Sequence, residues 1–406
     1  MEEELVFRVG RCEGAETEMI DTIVIIGNGF DRWLGLNTSY SDFHKYYLEH
    51  RDELVKKKHR MKLEDGSIEE FTDVELIYGD PLDPGELDDD FWNGFEQSLS
   101  HIDAERLNLF FGKEKSGLKR MNKSIKKAKK ILTKAFCGWI QSISIEPKDS
   151  EYDFGDNCLF INFNYTDTLH KCMGVKEEFE YHIHGEAEDS ESIIFGHNKH
   201  PQEPEDMLYQ LGGRFRGLYY VDNILYETDK HCADNVQTLI MFLALHGVMK
   251  EEIKDIYVLG QSMSPVDLEY FAFLMDATKV EPAAKAREEV EVEAIDDLHN
   301  RLQYVINTVG YGDQASEEET EAIERRYRLE QDARNDFFQK EFFKMIGKKK
   351  KSESVQVKPR EIDAKWHISY YGDKDKAWKE IVMREFKCTN YELLGSIDEC
   401  IEKFRK

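Results

Sequence analysis

The chain has 406 residues, 82 of them acidic and 55 basic, giving a formal charge of -27 at neutral pH. Hydrophobic residues at 40% and aromatics at 12% exclude a disordered chain and suffice for a sizeable core, in one large domain with insertions or in two domains. The acidic balance disfavours nucleic acid as a partner, no apolar run approaches the roughly 20 residues of a membrane helix, and seven scattered cysteines without a C-x-x-C pair point to a reducing cytosol with neither disulfide framework nor thiolate zinc site.

Residues 1–20, MEEELVFRVGRCEGAETEMI, lack the basic flank and apolar core of a signal peptide, and are expected to form an N-terminal extension of a cytoplasmic protein. Residues 23–26, IVII, form a continuous apolar run of the kind a buried parallel strand shows. It runs into Gly27-Asn28-Gly29, then Asp31, Gly35 and the polar run Asn37-Thr38-Ser39-Tyr40-Ser41. Glycines at a strand's carboxyl end let the backbone turn tightly into a helix, and in an open α/β sheet anionic ligands bind there. A bare G-N-G reads equally as an ordinary turn with Asn28 left-handed; Gly35 and the polar run favour a nucleotide or phosphate-type ligand held by Gly27, Asn28, Gly29, Asp31, Gly35 and Thr38. The motif is not G-x-G-x-x-G, because Arg32 stands where the third glycine would be.

Residues 41–58 predict a helix, and 61–90 an acidic, turn-rich loop marked by Pro81, Pro84 and Gly85. Residues 91–109 predict a helix with Phe91, Trp92, Phe95, Leu99 and Ile102 on one face. From 113 to 134 lysine and arginine are dense, with only Glu114 opposing. Leu118, Met121, Ile125, Ala128, Ile131, Leu132, Ala135 and Phe136 recur there at helical spacing, predicting a long amphipathic helix through Trp139 and Ile140. Its basic side reads as a solvated face or a partner for the many acids. Apolar runs at 158–165, 181–184, 192–195, 256–259, 366–371 and 387–394 predict strands, and 234–248 and 397–404 predict helices. Lysines 348–351 read as a loop, and Gly347-Lys348 is no P-loop, lacking both the earlier glycine and a following Ser or Thr.

Strands alternating with helices predict an α/β, Rossmann-like fold: a mostly parallel sheet with helices on both faces and large helical insertions. The core then comprises 21–60, carrying the nucleotide-binding loop, 151–275, carrying the catalytic strand ends, and 361–406, with the last strands and the C-terminal helix. Helical insertions occupy 61–150 and 276–360.

Chemistry concentrates at the predicted strand ends. One finishes in Asn162-Phe163-Asn164-Tyr165-Thr166-Asp167, another in His182-Ile183-His184-Gly185-Glu186, a third in Gly196-His197-Asn198. A fourth leads into Gly260-Gln261-Ser262-Met263-Ser264, with Ser264 as an N-cap and Asp267 at the helix start. Each alone could be a capped turn, and His197 reads equally as a substrate contact or a buried histidine bonded to backbone. Together they supply the convergent polar groups that a buried small-ligand site requires.

The ordered set GNGFDRWLGLNTSYSDF, FINFNYTDTL, HIHGE, IIFGHNK and GQSMSPVDLEYF resembles the AbiH family of bacterial phage abortive-infection proteins, over about residues 20 to 390. The same motifs resemble a distant form of the sirtuin-type nucleotide site. On that resemblance Gly27, Gly29 and Gly35 match the glycines of the first loop, Asn164 the strand-end asparagine, His184 the catalytic histidine, and Gly260 and Ser262 the ribose-contacting G-x-S. The chain departs from the pattern at Asp31, where sirtuins carry serine, and at Thr166, where they carry aspartate; the four zinc-binding cysteines are missing, which argues against protein deacylation.

The resemblance implies an antiphage effector that hydrolyses NAD or a related nucleotide at its N-glycosidic bond, with NAD as substrate and no metal. Asn164 and His184 would be catalytic, and Gly260, Ser262 and Asp267 would join the first loop in binding. A phage protein as trigger and a homo-oligomer are compatible with this pattern; a membrane is not expected. Two other classes fit the residues. His182 and His184, projecting from one face of a strand, could ligate a divalent ion in a metal-dependent hydrolase or nuclease. Alternatively the sheet edge could bind a nucleotide without chemistry, as a phage sensor.

Overall fold

The structure is a computed structural model that describes residues 20–55, 58–62, 66–79, 95–100, 107, 110–111, 115–146, 154–155, 157–198, 224, 226, 228–246, 248, 253–278 and 363–405. These belong to one of two units into which the chain divides, 1–281 with 362–406. The other, 282–361, lies outside the described residues, as do the expected N-terminal extension, nearly all of the 276–360 insertion and the loop at Pro81 to Gly85.

Strand β1 (Thr22–Ile26) is buried at every position, so it needs cover on both faces. Helix α1 (Asn28–Trp33) follows at once. Helix α2 (Tyr40–Leu54) starts at a capping box, with Ser39 Oγ accepting from the Asp42 amide at 3.2 Å while the Ser39 amide donates to the Asp42 carboxylate at 3.2 Å. Part of the polar run that suggested a ligand is therefore used to start a helix.

The segment expected as a loop from residue 61 instead holds an antiparallel hairpin, β2 (His59–Lys62) with β3 (Ile68–Phe71), and helix α3 (Asp73–Tyr78). Four-residue strands rich in charge hide their period, and the pairing appears only across strands, as in the 2.7 Å bond from Arg60 to Glu70. After the short α4 (Phe95–Ser98), the basic helix α5 (Lys115–Ser142) has the amphipathicity its spacing predicted. Met121, Ile125, Ala128, Leu132, Ala135, Phe136 and Trp139 are buried, and Lys119, Lys123, Lys126, Lys127, Lys129, Lys130 and Lys134 are exposed. Its apolar side meets α2 and α3 in an aromatic core where the Phe136 ring centroid lies 5.1 Å from that of Phe43 and 4.6 Å from that of Tyr165.

The remaining elements are β4 (Cys158–Asn162), α6 (Thr168–Met173), β5 (Glu180–His182), α7 (Cys232–Leu245), β6 (Asp255–Leu259), α8 (Leu268–Ala277), β7 (Lys365–Ser369), α9 (Gly372–Glu385), β8 (Tyr391–Leu394) and α10 (Ile397–Phe404). Six strands form one parallel sheet in the order β5-β4-β1-β6-β7-β8. Counted among themselves they run 3-2-1-4-5-6, the doubly wound order whose direction reverses between β1 and β6. Val24, Ile26, Phe160, Tyr257 and Leu259 pack on one face with residues of α6 and α10, while Ile23, Ile25, Leu159, Ile161, Ile256 and Val258 are buried on the other.

The expected strand at 192–195 does not form. Phe195 joins the aromatic core instead of the sheet, and only His197 makes an isolated bridge, with Asp229. Among the described residues no helix is long and apolar enough to cross a membrane, and the described cysteines are free thiols.

Candidate functional site

Sheet register places the site. Ile26 pairs with Asn162 on one side and Leu259 on the other, and Asn162 pairs with His182. The next residues, Gly27, Phe163, Ile183 and Gly260, therefore stand side by side just past the strand ends. The topological switch point lies between Gly27 and Gly260, where an open α/β sheet leaves its ligand crevice.

At that point the two loops pack backbone on backbone. The Gly29 amide donates to the Gly260 carbonyl at 2.8 Å, and the Gly27 amide to the Leu259 carbonyl at 3.1 Å. A Cβ on Gly29 would sit 2.6 Å from the Gly260 oxygen, and one on Gly27 would meet the Gln261 Cα. Gly260, at φ +68°, has the Gly29–Phe30 backbone against its own Cβ direction. These glycines thus serve first to let two loops touch, and the Gly29 N–H is engaged by protein. Asn28 and Ser262 stay exposed at the rim. Gly35, at φ +89° with open space around it, closes the turn after α1.

Asp31 is turned inward from α1 and is 1% exposed. Thr166 donates to its Oδ2 at 2.6 Å, and Thr168 in turn donates to Thr166 at 3.0 Å. The Oδ1 atom is buried without a hydrogen bond, as is the hydroxyl of Thr38. Burial pushes the Asp31 carboxyl up to about 6, although Thr166, Thr168 and Asn164 favour its charged form. Thr166 is therefore the direct partner of Asp31.

Asn164 is locked from both ends. Its amide N–H donates to the Asn162 side chain at 2.8 Å, and its Nδ2 donates to the Gly27 carbonyl at 3.1 Å. His184, 3% exposed, pairs through Nδ1 with the Phe163 carbonyl at 3.3 Å and through Nε2 with Asp267 Oδ1 at 3.2 Å. Asp267 Oδ2 accepts from Gln261 at 3.2 Å and from Ser264 at 3.1 Å, so Ser264 bonds a side chain rather than capping the helix. A continuous circuit results, running Gly29–Gly260, Gln261–Asp267, Asp267–His184, His184–Phe163 and Asn164–Gly27. It gathers residues separated by up to 240 positions, Gly27 to Asp267.

Behind His184 lies Lys230, 1% exposed, which donates to Asp267 Oδ1 at 2.8 Å and to Glu96 Oε2 at 3.1 Å, with His184 Nε2 at 3.3 Å. Burial works against the ammonium, but Asp267 and Glu96 together hold its pKa above the ordinary lysine value. Burial likewise opposes the Asp267 anion, and Lys230 holds that carboxyl well below the usual range. Tyr165 donates to the Ile194 carbonyl at 2.9 Å and lies 3.3 Å from Glu96; burial and then Glu96 push its phenol upward, so it stays a donor.

The chain matches the family model for bacteriophage abortive infection AbiH over residues 23–286. It belongs to the AbiH family. No curated relative and no solved structure matches the chain. The AbiH match begins at β1 and takes in every strand end of the circuit, and it gives the protein an abortive-infection defence role.

Several expectations change on contact with the geometry. Strand β5 stops at His182, and residues 183–184 turn, so His182 and His184 do not share a strand face. His182 bonds Glu180 through Nε2 at 2.9 Å and the Asn164 carbonyl through Nδ1 at 3.0 Å. Burial lowers its pKa, but the Glu180 bond outweighs it and the net shift is upward. Among the described residues no group of three His, Cys, Asp or Glu has the geometry to hold a metal ion. A Cβ on Gly185 would meet the Ser192 backbone and one on Gly196 the Thr228 carbonyl, and His197 is a buried histidine 3.3 Å from the Thr228 hydroxyl.

Lys230, Glu96 and Gln261 escaped the sequence reading. Lys230 stands in an ordinary-looking polar stretch, residues 226–231. Glu96 did leave a signal, because it is four residues after Trp92 and three before Leu99, on the apolar side of its predicted helix.

Proposed function

We propose that the chain carries out abortive infection by hydrolysing NAD, or a related nucleotide, at the N-glycosidic bond, with the substrate in the crevice past β1 and β6. The circuit of polar contacts that brings Asn164 and His184 to the switch point, beside Gly27–Gly29 and Gly260–Ser262, supports this reading most. So does the resemblance of those positions to a sirtuin-type site.

The nicotinamide of NAD is a cationic leaving group, so its departure needs no general acid. The barrier lies in charge developing at the ribose carbon, as in glycoside cleavage. His184 is the base that takes a proton from a ribose hydroxyl or the attacking water. Asn164, its Nδ2 engaged by Gly27, offers its amide oxygen as an acceptor to hold that water in line; orientation of this kind contributes several kcal/mol. Asp31 and Thr38, each with a buried oxygen lacking a hydrogen bond, are suited to take up hydroxyls of the nucleotide together with Asn28, Gly35 and Ser262, while Asp267, both oxygens engaged by protein, holds His184 and the Gln261 loop in place. The protein would act in the cytoplasm, where NAD and phage components meet, with a phage protein as its trigger.

The test is incubation of the purified chain with NAD, with and without phage components, and chromatography of released nicotinamide. No turnover under either condition would remove the hydrolase reading. A second reading, a sensor without chemistry, is favoured by one observation: both ring nitrogens of the buried His184 face protein groups. Tight binding of NAD recovered unchanged would select it.

A further inference from the structure

We propose that Lys230 is a positioning residue that decides which nitrogen of His184 carries the proton. Three groups face the imidazole edge: the Phe163 carbonyl at Nδ1, and Asp267 Oδ1 and Lys230 Nζ at Nε2. A carbonyl can only accept, so Nδ1 is a donor. At Nε2 the two neighbours make opposite demands, since a lysine ammonium can only donate and a carboxylate can only accept. If Lys230 prevails, the ring is neutral with its lone pair at Nε2; if Asp267 prevails, Nε2 carries a proton and no lone pair is left for a base.

The geometry favours Lys230. Its own bond to Asp267 Oδ1, at 2.8 Å, is shorter than the 3.2 Å between that oxygen and Nε2, so the ammonium is the nearer donor to the carboxylate, and at 3.3 Å from Nε2 its charge opposes a second proton on the ring. Gln261 and Ser264 occupy the other oxygen of Asp267. Glu96 supplies the second counter-charge to Lys230, and without it the buried ammonium would depend on Asp267 alone. Tyr165 stacks on the ring with its centroid 5.7 Å away, and Phe163 at 5.4 Å and Tyr270 at 6.0 Å meet it in edge-to-face pairs. The 3.3 Å contact to His184 is the longest bond of Lys230, hence the one given up when a substrate proton approaches Nε2.

The catalytic consequence rests on the NAD-hydrolase reading; the tautomer itself does not. The experiment is nitrogen-15 NMR of the full chain labelled in histidine, with His184→Gln identifying the His184 signals among the 13 histidines. Wild type is expected to show a protonated Nδ1 and an unprotonated Nε2 near neutral pH. Lys230→Met alone would leave Glu96 and Asp267 buried without a counter-charge and is expected to unfold. Lys230→Met/Glu96→Gln removes one charge of each sign, and there Nε2 should become protonated opposite Asp267.

A proton on Nε2 in the wild type, or an unchanged Nδ1–H pattern in the double variant, would overturn the proposal. If wild type also releases nicotinamide, the double variant should lose about 10²-fold or more in kcat with KM little changed. If wild type does not turn over NAD, the spectra still decide the role of Lys230, and only the hydrolase reading fails.

Discussion

Replacing Asp31 by Asn should stabilise the protein at alkaline pH. Burial is the main reason that the Asp31 carboxyl lies near 6 instead of 3.8, with Thr166, Thr168 and Asn164 only partly offsetting it. Between about pH 4 and 6 the folded chain therefore keeps a proton that the unfolded chain has released. For a carboxyl raised in this way, the associated stability is full below pH 4, falls as pH rises through the window, and is gone above 6. At roughly 1.4 kcal/mol per pH unit, the loss comes to about 3 kcal/mol.

Asparagine keeps an oxygen for the Thr166 hydroxyl, now at 2.6 Å from Oδ2, and removes the charge that burial penalises. Its amide N–H would inherit the unbonded position of Oδ1, which reduces the gain by about 1 kcal/mol or more. That amide cost is the same at every pH, so relative to its difference from the parent at pH 4 the variant should gain about 2–3 kcal/mol at pH 8, read by urea denaturation at both pH values. All other titrating groups are common to the two proteins and cancel in that comparison. An unchanged difference between parent and variant at the two pH values would refute the claim that Asp31 is a desolvated acid.

Other substitutions separate the roles of the crevice residues. Gly29→Ala places a methyl against the Gly260 backbone on a loop that cannot yield cheaply, and should cost about 2–4 kcal/mol in denaturant unfolding; a loss under 0.5 kcal/mol would mean the loops are not in contact. Ser39→Ala removes the capping box of α2 and should cost about 1 kcal/mol, with circular dichroism showing an otherwise unchanged fold. His184→Ala and Asn164→Ala should each lower nicotinamide release by about 10² or more while the protein stays folded. Full activity in both would place the chemistry elsewhere.

Strand β1 was legible because four consecutive apolar residues admit little else, and α5 because its apolar positions recur over about six turns. Helix α10 was expected at the residues where it forms. The hairpin β2–β3 was not legible, since a four-residue strand carrying charges has no readable period. The run at 192–195 has strand composition, but burial against Phe95 and Phe136 satisfies it without pairing. The glycines of the first loop were expected to turn the backbone tightly and hold a ligand, and what approaches them most closely is Gly260 and Gln261.

Composition, apolar runs and strand-end polar residues determined by themselves that this is an α/β chain whose polar strand ends gather at one edge of a parallel sheet. Those features are local, set by which side chains a few neighbouring residues present. Tertiary structure alone decided the strand order, the contact between the Gly29 and Gly260 loops, and the company His184 keeps. Lys230 and Glu96 are separated by 134 positions, and only folding brings a buried ammonium and two carboxylates to one imidazole. Hydrogen-bond partners act over about 3 Å in space whatever their distance along the chain, so no local pattern could have named them.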